Sequence, residues 1–326
     1  MQNFEYANPT TLNDALSLLG SAWGEADVLA GGTDLLSLMK EYIHSPKRVV
    51  NIKNIKELGG IAKVGTSLRI GATVTLDEMA SNALVKQMYP SLVQAALEVS
   101  SPQLRNMGTV GGDLCQRPRC WYFRGGSGLL GQDENGKSLV ATGENKYHAI
   151  FGSGPAWFVS ASSFGPALIA LGAKVTLASA AGKREIPLSE FFVSPKSNGE
   201  REIALKPNEI LTQITIPATT GKNATYEVRH REAVDWPLTA ASVNLTMTGN
   251  VVKSATVVMG HVAATPWRAS QAEQMLVGKK IDAELAEKAG EAAVANATPL
   301  PQNGYKVQLA KVAVKRAILK AAGIAV

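Results

Sequence analysis

Two adjacent glycines end an apolar run at Val28-Leu-Ala-Gly-Gly-Thr-Asp-Leu35, and the amphipathic stretch Leu35-Leu-Ser-Leu-Met-Lys40 follows at once. The pattern predicts a buried strand, a tight turn and a helix. Glycine lets a backbone take positive φ and come close to a ligand. Successive N–H groups in such a turn form a concave nest for an anion such as a pyrophosphate, with the Thr33 hydroxyl as a further donor. The same four residues are also good ordinary turn chemistry. A second segment, Gly108-Thr-Val-Gly-Gly-Asp113, repeats the combination of glycine pair, Thr and Asp. Two such turns predict a ligand with more than one polar end.

The 326 residues suffice for two or three domains, and 45% hydrophobic with 18% charged residues is the balance of a folded globular chain. The net charge of +6 is scattered, and no basic run is interleaved with aromatic residues, which argues against nucleic acid as a partner. No uninterrupted apolar stretch is long enough for a membrane span. The first residues, Met1-Gln-Asn-Phe-Glu-Tyr6, predict no signal peptide, so the expected compartment is the cytoplasm, or the periplasm by export with a partner subunit.

Along the chain, Thr11-Leu-Asn-Asp14 and Thr75-Leu-Asp-Glu78 read as helix starts, the second as a capping box. Strands are expected at residues 48–51, 68–73, 156–160, 173–178 and 208–217, and helices at 90–100 and 166–172. Residues 115–150, rich in Gly, Arg and polar side chains, read as an irregular insertion. Gly221-Lys-Asn-Ala224 is the expected linker. Beyond it, strand-like segments at 225–231, 240–248 and 251–260 precede helical ones at 269–277, 282–295 and 307–322, the order of a small α+β domain.

In order over nearly the whole chain, these pieces resemble the flavin-binding medium subunit of the molybdenum hydroxylases, the family of xanthine dehydrogenase and aldehyde oxidoreductase. The matching segments are Val28 through Leu35, Arg105-Asn-Met-Gly-Thr-Val-Gly-Gly-Asp113, Gly165-Pro-Ala-Leu-Ile-Ala-Leu-Gly-Ala173 and Glu209-Ile-Leu-Thr-Gln-Ile-Thr-Ile-Pro217. The region 229–235 completes the set. The resemblance implies an α+β fold: a two-lobed FAD-binding domain of the vanillyl-alcohol-oxidase or molybdopterin-dehydrogenase type over 1–220, with lobes of about 1–60 and 61–220. A small C-terminal α+β flavoprotein domain over 221–326 follows. It further implies FAD held at its pyrophosphate by Leu29, Ala30, Gly31, Gly32, Thr33, Asp34 and Leu35. Gly108, Thr109, Gly112 and Asp113 would line the other side, Val99 and Ser100 would touch the cofactor, and Ser163 and Ile216 would lie near it. The implied partners are a molybdopterin-binding large subunit and a [2Fe–2S] small subunit.

The insertion Cys115-Gln-Arg-Pro-Arg-Cys120-Trp-Tyr-Phe-Arg124 is similar to the branch of periplasmic aldehyde oxidoreductases and 4-hydroxybenzoyl-CoA reductase. Several members of that branch carry a four-cysteine [4Fe–4S] cluster there. This chain has two cysteines in all, so a cluster is not expected. Trp121, Tyr122 and Phe123 read either as a stacking surface or as the anchor of the loop, and Asp235-Trp236-Pro237 either as a flavin neighbour or as a turn. No Gly-x-Ser-x-Gly or spaced acid–base pair marks a catalytic group. The expectation is therefore an electron-transfer flavoprotein subunit. A self-contained flavin oxidase and a flavin-free binding module are the competing readings.

Overall fold

The computed structural model describes residues 1–99, 101–231 and 235–325. Three sheets follow one another along the chain. In the first, β1 (Glu5–Ala7), β2 (Ala26–Leu29) and β3 (Arg48–Asn51) are parallel, with β3 central. Val50 and Ile52 bury against Leu12, Ala15 and Leu16 of the helix Leu12–Ser17. That helix begins where the sequence places it, with the Thr11 hydroxyl accepting from the Asp14 N–H at 3.2 Å.

The second sheet is antiparallel in the order β4-β5-β8-β6-β7, from β4 (Ile61–Val64), β5 (Ser67–Gly71), β6 (Lys174–Ser179), β7 (Gly182–Pro187) and β8 (Ile210–Ile216). Pro217 stands directly after β8 and cannot donate to a ladder. The helices Leu76–Ser81, Pro90–Glu98 and Phe164–Ala170 share this sheet's core. The capping box is complete: Glu78 N–H donates to the Thr75 hydroxyl at 3.2 Å and Thr75 N–H to the Glu78 carboxylate at 2.8 Å.

The third sheet, β12-β11-β10-β9, is built from β9 (Lys222–Val228), β10 (Thr239–Thr248), β11 (Val251–Gly260) and β12 (Trp267–Arg268). The helices Ser270–Leu276, Ala283–Val294 and Tyr305–Ala322 bury Ala272, Ala289, Ala313, Val314 and Ile318 against it. The fold is α+β, with helices packed on each sheet.

Three expectations need correction. Residues 156–160 form no strand; Phe158 is buried in a small separate core with Leu38, Phe123 and Leu130, and the segment pairs irregularly, Ser160 N–H on the Ala263 carbonyl at 2.8 Å. The expected linker is consumed by β9, which starts at Lys222 and pairs with β10 from Leu245 back to Thr239. Gly108-Thr-Val-Gly-Gly-Asp113 is no open turn either, because a helix Val110–Cys115 begins there with Thr109 as its cap.

Candidate cofactor site

The first lobe delivers its glycine turn at the end of β2, and Gly32 takes φ +75°, the left-handed region that a side chain disfavours. Gly31 lies against the Met107 carbonyl, with no space for a Cβ. The turn therefore meets the second lobe backbone to backbone. Among the described residues, none accepts a hydrogen bond from the N–H groups of Gly31, Gly32, Thr33, Asp34 or Leu35. Consecutive N–H groups left free at a turn and helix start are what an anion requires.

The second segment has different chemistry. Gly108 N–H donates to the Leu104 carbonyl at 2.7 Å, Val110 to Val74 at 2.9 Å and Gly111 to Ala72 at 2.9 Å. Gly112 N–H donates to the Thr109 hydroxyl at 3.1 Å. Among the described residues only the Thr109 N–H of this segment lacks an acceptor, so it forms a wall rather than a second row of free donors. Gly111 is there for close packing, since a Cβ would strike Ala72. At Gly112 a Cβ would press on the Thr109 hydroxyl, 2.9 Å away, and meet nothing else outside its own helix and chain neighbours. Asp113 turns inward and accepts from the Ser162 hydroxyl, from Phe164 N–H at 3.2 Å and from the Gln116 amide at 2.9 Å. Burial raises its pKa to about 6, against the opposing pull of these hydrogen bonds.

Between the two segments lies a cavity of about 370 Å³. Its wall includes residues 30–35 of the first turn together with Val99, Gly108, Thr109, Gly112, Asp113 and Ser163. Leu29 ends β2 and contributes nothing to the wall. Ile216 is fully buried in the second lobe's core, paired with Leu68, because inward-facing positions of β8 serve packing. Ser100 lies outside the described residues. Asp235, Trp236 and Pro237 also line the cavity, bringing the C-terminal domain to its edge. Trp121, Tyr122 and Phe123 do not: Phe123 anchors the insertion in its own core, and the other two ring His148.

Sequence reasoning missed the insertion's contribution. Asp34, the last turn residue before the helix Leu35–Lys40, receives Arg124 at 2.7 Å, Arg119 at 3.0 Å and the Arg117 N–H at 2.8 Å. Arg117 itself pairs with Glu202 at 2.5 Å. Arg119 and Gln116 line the cavity, as do Trp23 and Arg201. The abundance of arginine in 115–124 was the available signal; which of them would face inward depends on Asp34.

A cavity with a row of free N–H donors on one side and a glycine in the wall on the other fits a dinucleotide with a pyrophosphate. The family models agree. Residues 2–219 match the FAD binding domain in molybdopterin dehydrogenase, and residues 224–321 match the CO dehydrogenase flavoprotein C-terminal domain. The chain belongs to this family of FAD-binding medium subunits of molybdenum hydroxylases; it is an oxidoreductase flavoprotein whose cofactor is FAD. It is 30% identical to the carbon monoxide dehydrogenase medium chain of Hydrogenophaga pseudoflava, over 97% of this chain and 96% of the relative. It is 31% identical to the aldehyde oxidoreductase FAD-binding subunit PaoB of Escherichia coli K12, over 95% and 96%. Among solved structures, quinoline 2-oxidoreductase from Pseudomonas putida 86 matches with a TM-score of 0.78 and 25% identity, covering 99% of this chain and 98% of that one.

Proposed function

We propose that this chain is the electron-transferring subunit of a molybdopterin-dependent hydroxylase or dehydrogenase. It would receive electrons from [2Fe–2S] clusters on a small partner subunit and pass them to a terminal acceptor, while substrate is oxidised on a molybdopterin-binding large subunit. The chain works as an FAD-binding domain over 1–220 and a C-terminal domain over 221–326. When bound, FAD supplies the redox chemistry, exchanging electrons singly or in pairs. The chain's own residues bind it: the 31–35 turn would hold the pyrophosphate on backbone N–H groups, and Gly108, Thr109 and Gly112 would form the opposing wall.

The observation that carries the reading is that every acid on the cavity wall is already engaged. Asp27 faces His44 at 3.2 Å, Asp34 its arginines, Glu98 Arg229, Asp113 the Ser162 turn, and Glu209 Arg184 at 2.7 Å. Asp235 accepts from Arg231 N–H at 3.0 Å and Trp236 N–H at 2.9 Å. The Cys115 thiol on the same wall is pushed up to about 12 by burial and is protonated at neutral pH. Among the described residues, the wall offers no free carboxylate or thiolate, and its imidazole, His44, is held between Asp27 and Arg117. Glu227 near Ser163 is kept protonated at neutral pH by burial. This supports an electron carrier over a self-contained oxidase.

The exposed side chains of Trp121, Tyr147 and Trp236 supply aromatic surface of the kind enriched at interfaces. No described helix is long and apolar enough to cross a membrane. The compartment proposed with it is the cytoplasm, or the periplasm by export with a partner subunit. Co-expression with the proteins encoded beside it should yield a heterotrimer containing molybdenum, [2Fe–2S] clusters and FAD. An isolated chain that turns over an organic substrate as fast as that complex would replace this reading with the oxidase.

A further inference from the structure

Asp34 is one carboxylate shared by two guanidinium groups, Arg124 at 2.7 Å and Arg119 at 3.0 Å. The pair differs in what lies beyond. Arg124 is spent on the insertion, donating also to the Pro118 carbonyl at 2.9 Å, and it does not line the cavity. Arg119 does line it. Its second terminal nitrogen donates to the Gln116 amide oxygen at 3.0 Å, and its Nε has no partner among the described residues. Its guanidinium lies 4.4 Å from the ring centre of Trp236, another cavity residue, so the cation spans from the glycine turn to the C-terminal domain.

Two cations share the Asp34 carboxylate beside the free N–H groups of residues 31–35, with Asp113 and Glu41 the next acids acting on Arg119. The other cavity arginines are placed elsewhere: Arg117 holds Glu202 at 2.5 Å, and Arg201 lies over Trp23 at 4.2 Å. The opposing wall offers less, because the N–H groups of Gly108, Val110, Gly111 and Gly112 are already bonded and only that of Thr109 is left. A pyrophosphate carries two negative charges near neutral pH, and a half-buried guanidinium is a strong, planar, always-charged partner for it.

We propose that Arg119, carried in by the 115–150 insertion, is the counter-charge for the FAD pyrophosphate, and that its contact with Trp236 closes the cleft over the bound cofactor. This rests on the assignment of the 31–35 turn to the pyrophosphate. The insertion then has a cofactor-binding task that requires no metal. Arg119 is a binding residue here, whereas Arg124 positions Asp34.

The test is binding to the deflavinated full chain, with FAD, ADP and riboflavin as separate probes. Arg119→Gln should weaken FAD and ADP at least tenfold, leave riboflavin within about twofold, and flatten the salt dependence of FAD affinity. Arg119→Lys should recover part of the loss, keeping charge without the fork. Arg124→Gln removes the neighbouring ion pair to Asp34 from outside the cavity, so it reports what loosening the turn alone costs, and it should weaken FAD clearly less than Arg119→Gln does. Equal losses from the Arg119 and Arg124 changes would mean that Arg119 acts only by holding the turn, and the proposal fails. It fails too if Arg119→Gln binds FAD normally, or if riboflavin is weakened as much as FAD. A wild-type chain that binds riboflavin but neither FAD nor ADP would instead overturn the pyrophosphate assignment beneath it.

Discussion

Gly31 and the carbonyl of Met107 meet where the first lobe touches the second, with no room for a methyl group between them. The neighbouring Gly32 is constrained differently, by its φ of +75° and by the Leu29 and Leu36 methyl groups 3.1 and 3.2 Å from a Cβ built on it. One glycine sets how closely the lobes approach, and the other sets the path of the turn.

The two positions should therefore fail in distinct ways. Gly31→Ala should force backbone apart and lower thermal stability as well as FAD affinity. Gly32→Val should leave a folded chain whose FAD affinity falls at least tenfold, about 1.4 kcal/mol, because a branched side chain strains the left-handed turn that presents the N–H row. Flavin titration of each deflavinated variant, beside its melting curve, checks both. Normal FAD affinity in a folded Gly32→Val chain would move the pyrophosphate elsewhere.

Much of this fold was legible locally. Thr11, Thr75 with Glu78, and Pro217 after β8 declare themselves because caps and strand stops act within a few residues. The first glycine turn was legible for the same reason. The strand expected at 156–160 shows the limit: an apolar run reports burial, and Phe158 is buried, but pairing depends on neighbours far away in sequence. The second glycine segment shows another. Its residues match those of a nest, yet Val74 and Ala72 take the N–H groups of Val110 and Gly111 before any ligand can. The inward turn of Arg119 follows from Asp34, 85 positions earlier, which no local pattern reveals.

Glu227, on β9, should give the protein a pH-dependent stability. Both of its carboxylate oxygens are buried, with Ser163 near them but no well-aligned hydrogen bond among the described residues. Burial, reinforced by nearby Glu98, raises its pKa to about 8. Between about pH 4.5 and 8 the unfolded chain has lost this proton while the folded chain keeps it. The folded state thus binds more protons, and stability falls as pH rises through that window. Glu227→Gln should flatten the decline, by an amount on the order of a few kcal/mol between pH 5 and 8. Urea unfolding at a series of pH values measures it, and parallel curves for the two proteins would show that Glu227 does not titrate in this way.

The insertion should carry no stoichiometric [4Fe–4S] cluster. Cys115 and Cys120 are the chain's two cysteines, half the usual thiolate set. Cys120 Sγ lies 3.1 Å from His148 Nε2, and burial lowers the His148 pKa to about 4 while raising that of Cys120. That pair is a neutral thiol beside a neutral imidazole, packed among Trp121 and Tyr122. Iron and sulfide analysis after anaerobic purification should find well under four irons per chain. Four irons that disappear when both cysteines are changed to Ser would give the insertion a cluster after all.

Asp34 should be worth more to the insertion than any single arginine that reaches it. Its carboxylate, only 15% exposed, receives Arg124, itself 13% exposed, as well as Arg119 and the backbone of Arg117. Asp34→Ala would leave two guanidinium groups half-buried with no carboxylate between them, and would free the Arg117 N–H. Removing one member of such a buried pair costs about 3 kcal/mol, far more than an exposed ion pair. Global unfolding should shift accordingly. Because Asp34 joins the first lobe to residues 117–124, the insertion should also open locally, so limited proteolysis should cut within 115–150 well before the rest of the chain. Asp34→Asn retains an acceptor for the Arg117 N–H and should fall between the two. An Asp34→Ala chain as stable and as resistant to cleavage as the wild type would mean that the small core around Phe123 and Phe158 holds the insertion without this ion pair.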